Sequence, residues 1–368
     1  MKTRLNPMMK NMPIRARADR IADHALRLVL AFNLLLFLSF AVVLVMAAAA
    51  RAETVACGGK DLSAELASRN PEELAAIRAK AAAIPNGDGL LWKIEKDGIV
   101  QSYLFGTMHL TNPRVVNLPA EVQRAYDASN TIVIETTEIL DPRAPMKAMA
   151  ERPDLMMFTD GRTLEQLIPP DKIDAVRSAL ARRGIPLSAV SRMQPWLLTS
   201  MVAMSACETA RKKSGAAVLD LKLAKDAKAE GKELLGLETI VEQLDAFASL
   251  PLDFHIDGLI DTLALGGRMD DMQETMLTLY RQGQVGMIIP MLQSFEPDKE
   301  KADEGYAAFE QTMIEARNAV MAERAVPILD KGGAFIAVGA LHLPGEKGLV
   351  ALLRARGYQV SRVAGASN

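Results

Sequence analysis

A chain of 368 residues with 49% hydrophobic content is long enough to bury one large core or two modest ones. Its formal net charge of −2 supplies no basic field for a nucleic-acid backbone, so nucleic acid is not an expected partner. Glycine and proline, 24 and 18 residues, stay near average usage, which excludes a largely low-complexity chain.

Taken in chain order, residues 1–27 carry Lys2, Arg4, Lys10, Arg15, Arg17, Arg20 and Arg27 against only Asp19 and Asp23. Residues 28–50 are apolar apart from Asn33 and Ser39, and Ala50-Arg51-Ala52 supplies a small-residue cleavage pattern. Residues 1–52 therefore read as a secretory signal peptide. The apolar run could also cross ~30 Å of hydrocarbon as an uncleaved N-terminal membrane anchor. Either way residues 53–368 are expected to be exported, periplasmic or anchored to the inner membrane facing outward, with membrane contact only through this segment. Cys57 and Cys207 are the only cysteines. In an oxidising compartment such a pair is expected to form a disulfide.

Residues 62–84 have a helical pattern that stops before Pro85-Asn86-Gly87. Residues 90–95 and 100–105 flank Lys96-Asp97-Gly98, a hairpin signal because Asp-Gly accepts the backbone of a tight turn. A helix over 119–128 then leads to the apolar strand 131–134, which puts this strand parallel to the one at 100–105. The centre reads as helical, with 171–183, a start at Pro195, and 217–230 closed by Gly231. A short strand covers 234–237, long helical patterns cover 239–283 and 302–329, and a strand follows at 334–339. Pro344-Gly345 turns the chain into a helix over 346–356, and 359–363 is a last strand. The expected fold class is α/β: a central sheet built from N- and C-terminal βαβ units, with a large helical insertion at about 140–230 and 239–330.

One pattern occurs twice. Leu104-Phe105-Gly106-Thr107-Met108-His109-Leu110 is echoed by Ala337-Val338-Gly339-Ala340-Leu341-His342-Leu343, so two of the chain's four histidines follow an apolar run and a Gly-x-x-His spacing. His109, Glu135, Glu238 and His342 each follow the carboxyl end of an expected strand. Ligands of open α/β sheets bind outside those ends, so the four are expected to meet in one crevice. Two imidazoles and a carboxylate suit zinc, manganese or cobalt with positions left for water. The second carboxylate would be a general base, and which glutamate plays which part is left open. Gly106 and Gly339 are read as backbone-shaping, freeing the chain to turn at positive φ and to approach a ligand closely.

Arg317-Asn318 lies in a helix that returns to the His342 strand, and could orient a carbonyl or carboxylate. Its plainer reading is a helix-face ion pair. His24 precedes the apolar run and is read as uninvolved, His255 as a helix-surface residue, and Met108 as lying near the site. The sequence contains no Gly-rich phosphate loop, G-x-S-x-G, H-E-x-x-H or C-x-x-C motif.

Gly106–His109, Glu135, Gly236-Leu237-Glu238-Thr239 with Glu242-Gln243, Arg317-Asn318, and Gly339–His342 with Pro344-Gly345 and Gly348-Leu349 together resemble the TraB/GumN family, over roughly residues 56–363. Cys57, Pro85-Asn86-Gly87 and Trp92 are similar to its secreted GumN-type branch. The resemblance implies a core similar to the erythromycin-esterase and haem-binding ChaN group. For the members related to the Tiki proteases it implies a divalent-metal-dependent peptidase using both Gly-x-x-His histidines and a glutamate. The leading expectation is thus an exported metal-dependent hydrolase with a peptide or protein substrate. Its metal ligands would be His109, His342 and Glu135, and its catalytic groups Glu135, Glu238, Arg317 and Asn318. The alternative is a non-catalytic envelope protein binding a peptide, haem or metal, for which Tyr103 is the one tyrosine near a motif.

Overall fold

A computed structural model of the chain describes residues 57–295 and 299–366. The expected export segment, residues 1–52, and His24 lie outside the described residues. Among those described, no helix is long and apolar enough to cross a membrane.

The architecture is a six-stranded mixed sheet surrounded by helices, an α/β fold. The strands are β1 (Leu91–Glu95), β2 (Ser102–Thr107), β3 (Thr131–Ile134), β4 (Glu233–Gly236), β5 (Ala334–Gly339) and β6 (Gln359–Arg362). Their spatial order is β4-β3-β5-β2-β1-β6. The β1–β2 hairpin is antiparallel, turning where Gly98 sits at φ 77°, and β6 adds antiparallel to the outside of β1. Strands β4, β3, β5 and β2 are mutually parallel, as the helical crossovers between them require.

Both sheet faces are covered, and the two-residue period of the strands shows it. Phe105, Ile132, Ile134, Phe335 and Ala337 enter one buried cluster, while Leu104, Val133, Ile336 and Val338 enter the cluster on the other face. A third cluster, with Phe158, Leu180, Leu198 and Leu259, is the separate core of the helical region between β3 and β5.

Two long helical patterns are broken in the structure and a third changes its winding. The 62–84 pattern splits into Leu62–Arg69 and Pro71–Ala82, because Pro71 cannot donate to the preceding turn and Asn70 caps the new helix. The 239–283 pattern becomes Ile240–Ala248, Leu252–Leu265 and Arg268–Arg281, interrupted at Pro251 and at Gly266, whose φ is 53°. In the last, Lys299–Phe309 passes through a π-helical stretch, Glu310–Ala316, before Arg317–Leu329. The disulfide Cys57–Cys207 is present, with Cα atoms 5.5 Å apart, and ties the start of the described chain to the helix Ala206–Lys213.

Candidate functional site

Because β4, β3, β5 and β2 are neighbours and parallel, their carboxyl ends emerge along one edge. They deliver Glu238, Glu135, His342 and His109 in that spatial order. Adjacent strands are ~4.8 Å apart, so the four residues form a row and the outer two leave the sheet ~14 Å apart. The expected single crevice is therefore two adjoining groups that share Glu135.

The first group is acidic. Arg317, at the start of its helix, donates from Nε to Glu238 Oε1 at 2.9 Å and from Nη2 to Glu238 Oε2 at 2.6 Å. The same Nη2 reaches Glu135 Oε2 at 2.8 Å. Gln243 bridges the same carboxylates, donating from Nε2 to Glu135 at 2.9 Å and to Glu238 at 3.3 Å. Both glutamates are buried, and a bidentate guanidinium is the partner that makes two buried carboxylates tolerable. A π-helical stretch directly precedes Arg317, as such stretches often do at sites.

The second group holds the imidazoles. His342, on a short 3-10 turn after β5, is buried and bonds through Nδ1 to Asn318 Oδ1 at 2.7 Å. Asn318 is fully buried and its amide donates to the Lys347 carbonyl at 2.9 Å, which orients its oxygen toward the ring. His342 Nδ1 therefore carries the proton, and its Nε2 has a free lone pair 3.8 Å from Glu135 Oε1. Burial holds His342 down, to about 4, against the opposing pull of Glu135.

His109 is arranged alike. Its Nδ1 lies 2.7 Å from Oδ2 of the buried Asp220, whose Oδ1 accepts the Thr107 hydroxyl at 2.7 Å. Asp220 pushes His109 upward. The His109 side chain is 59% exposed, so water screens part of that effect and the site opens to solvent on this side.

Glu135 faces both groups. Burial disfavours its charge, but His342, His109, Arg317 and the Gly339 N–H, bonded at 2.7 Å to Oε1, outweigh burial and hold the carboxyl at about 2. Gly339 forms the floor. A Cβ on it would meet Glu135 Oε1 at 3.2 Å, His342 Cδ2 at 3.5 Å and His109 Nε2 at 3.8 Å. All three side chains thus border the one small space that the glycine leaves open. No group of three or more His, Cys, Asp or Glu side chains among the described residues is close enough to hold a metal ion as it stands.

The glycines work differently from expectation. Neither has positive φ, and Gly339 is extended at φ −51° and ψ 134°. Gly106 serves packing, since a Cβ there would lie 2.7 Å from Leu343 Cδ1 and 2.9 Å from Ala340 Cα. Its carbonyl accepts the hydroxyl of the buried Tyr280 at 2.9 Å.

Other expected residues are placed elsewhere. His255 is buried rather than on a helix surface, its Nε2 3.0 Å from the Phe247 carbonyl. Met108 packs against the core on the Phe105 face. Tyr103 pairs with Phe335 at the opposite end of β2, four residues and ~13 Å of strand before Thr107, and its hydroxyl accepts from Gln101. Asp220 borders the candidate site without a sequence signal of its own, and Gln243 is marked only by the resemblance, beside Glu242. Asp220 looks like any acidic residue in a helix's first turn, and Gln243 like any polar residue on a helix face.

A sequence-family model described as the TraB/PrgY/gumN family matches residues 90–362. The chain is 26% identical over 322 residues to Metalloprotease TIKI2 of Danio rerio, covering 74% of this chain and 60% of that protein. It is 26% identical over 338 residues to Metalloprotease TIKI1 of Danio rerio, with coverages of 79% and 66%. Against Metalloprotease TIKI1 of Homo sapiens the identity is 25% over 319 residues, with coverages of 74% and 61%. The chain therefore spans less than two thirds of the length of these relatives. No solved structure matches it. The matched segment runs from the residue before β1 to the end of β6 and takes in all four strand ends. On that coverage the chain belongs to the TraB/PrgY/gumN family.

Proposed function

We propose that the chain is an exported, divalent-metal-dependent hydrolase that acts on peptides, with its metal between His109, His342 and Glu135. The observation that carries this reading is the pair of imidazoles whose Nδ1 atoms are taken by buried Asp220 and Asn318. Both Nε2 atoms are left to the space over Gly339, beside Glu135 Oε1. Metal-binding histidines are characteristically held through their other nitrogen in this way. The donors, two imidazole nitrogens and one carboxylate, fit manganese, cobalt or zinc, which would have to displace the proton that Asp220 favours on His109. Two glutamates against one guanidinium also leave a net negative charge that a divalent cation would balance. The names of the metalloprotease relatives support the same class.

The parts of the two glutamates follow from their partners. Glu238, with both oxygens bonded to Arg317, holds that arginine in place. Glu135 Oε1 accepts the Gly339 N–H and faces the open space, so Glu135 is the carboxylate able to bind a cation. When bound, the metal would polarise a substrate carbonyl and acidify a bound water. His342 closes the inner wall, while the exposed His109 marks the side from which a peptide reaches the site. Export is part of the proposal, and the Cys57–Cys207 disulfide supports it.

The test is peptidase profiling of the purified protein on a mixed peptide library with added Mn²⁺, Co²⁺ or Zn²⁺ and a chelator control. Cleavage that disappears with chelator and in Glu135→Gln is the expected result. Metal binding without cleavage would instead make the chain a binding protein. Cleavage indifferent to chelator would remove the metal from the account.

A further inference from the structure

The helix Ala206–Lys213 takes no part in the sheet, yet it sits against the loop that carries His109. Only two of its residues are buried, Cys207 and Glu208. Cys207 is crosslinked to Cys57. Glu208 is 1% exposed and reaches across to Thr111, two residues beyond His109. Its Oε2 accepts the Thr111 N–H at 2.9 Å and also the Thr111 hydroxyl. Its Oε1 pairs with Arg211, whose Nε donates to the same hydroxyl at 3.1 Å, and whose Nη1 lies 3.8 Å from Cys57 Sγ.

The other side of the crosslink is anchored in the body of the protein. Lys60 N–H donates to Asp271 at 2.7 Å and Leu62 N–H to Thr275 at 2.8 Å, both on the helix Arg268–Arg281. A continuous set of contacts thus runs from that helix through residues 57–62 and the disulfide to Glu208, and from Glu208 to Thr111. Upstream of His109, Thr107 is held by Asp220; downstream, Thr111 is held by Glu208. The segment that carries the half-exposed His109 is thus held on both sides by buried carboxylates, Asp220 also touching the ring itself.

We propose that Glu208 is a positioning residue for His109, and that the Cys57–Cys207 crosslink keeps Glu208 in place. Reduction of this disulfide by an added dithiol, which is itself oxidised to a disulfide as the two cysteines become thiols, then loosens a residue of the site. The importance of that residue rests on the metal reading above; the coupling itself does not. Without the crosslink, Glu208 is the one buried side chain of the helix that still hydrogen-bonds to the Thr111 segment, and a buried carboxylate keeps its site only while all its partners stay.

The experiment follows the His109 imidazole by ¹H–¹³C NMR on the full chain. It compares the oxidised protein, the reduced protein with both thiols verified by alkylation, Glu208→Ala and Glu208→Gln. His109 is identified through His109→Ala, and the His255 signal reports that the fold is intact. Reduction and Glu208→Ala are each expected to shift or broaden the His109 signal while leaving His255 unchanged. Glu208→Gln, which retains an acceptor for the Thr111 N–H, should restore part of the wild-type signal. Mn²⁺ affinity measured on the same samples should fall about tenfold, the lower end for groups that support metal ligands. A His109 signal unmoved by reduction, or unmoved by both substitutions, overturns the proposal. If the wild type binds no Mn²⁺, the metal reading fails while the His109 signal still decides this one. Should Glu208→Ala not fold, reduction of the wild type and Glu208→Gln decide it.

Discussion

Alanine at the two motif glycines should separate the site from the fold, because the same substitution meets different surroundings. At Gly339 the backbone is in a region open to any residue, and the new Cβ faces Glu135, His342 and His109 at 3.2–3.8 Å. The contacts with His342 and His109 are ordinary, whereas Glu135 Oε1 at 3.2 Å must give by a few tenths of an ångström; against that, loss of unfolded-state freedom can contribute roughly 0.4–1 kcal/mol in favour of the fold. Stability should therefore stay within about 1 kcal/mol of wild type. The methyl group nevertheless occupies the space between the three proposed ligands, and Mn²⁺ or Zn²⁺ affinity should fall by about a hundredfold, as for ligand-sphere defects. At Gly106 the Cβ would press on Ala340 Cα at 2.9 Å and on Leu343 Cδ1 at 2.7 Å. Overpacking against backbone should cost about 1–3 kcal/mol, a drop in Tm of roughly 2–6 °C for a protein of this size. Thermal unfolding and isothermal titration of both variants are the assays. A Gly339→Ala protein that binds metal like wild type, or loses more stability than Gly106→Ala, would refute the reasoning.

Removing Arg317 as Met leaves the Glu135 and Glu238 carboxylates buried without their cation and should destabilise by about 3–5 kcal/mol in denaturant titration. Adding Glu238→Gln should recover part of the loss, and no recovery would show that the guanidinium acts otherwise. Asp220→Asn should weaken metal binding by about 10–100-fold through His109 with a smaller effect on fold, and unchanged affinity would contradict the assignment of its Nδ1 partner. The pH dependence follows from His342, held by burial at about 4 against a normal 6.5. The unfolded chain takes up this proton first, so the stabilisation is complete above about pH 6.5 and lost as pH falls toward 4, an effect of about 3 kcal/mol. Urea titrations across that range should show the slope in wild type and lose most of it in His342→Gln; equal slopes would refute the burial argument.

Strand-level architecture was legible wherever a local signal coincided with a strand end. Thr131–Ile134 and Ala334–Gly339 have the boundaries their apolar runs imply, and Asp97-Gly98 marks the hairpin. The duplicated Gly-x-x-His motif pointed to one sheet edge because parallel strands must all end on the same side. Strand order was not legible, and that order turns the four residues into a row with Glu238 and His109 at its ends. Helix breaks at Pro251 and Gly266 could be seen individually but not weighed against the helical pattern around them. Asp220 was invisible for a different reason, and Gln243 stood out only through the family resemblance. Their contacts to His109 and Glu135 span 111 and 108 residues of sequence, and nothing local distinguishes them from surface residues. The expected positive φ at Gly106 and Gly339 is not found, since sequence alone does not separate a glycine chosen for φ from one chosen for the absent Cβ.

Whether His109 and His342 hold a metal is decided by metal content, determined by inductively coupled plasma mass spectrometry after loading with Mn²⁺ or Zn²⁺ and desalting. Wild-type protein and the His109→Ala/His342→Ala double variant would be compared, each first shown to be folded by circular dichroism. About one divalent ion per wild-type chain is expected, and essentially none in the double variant. Equal metal content in the two proteins would contradict this.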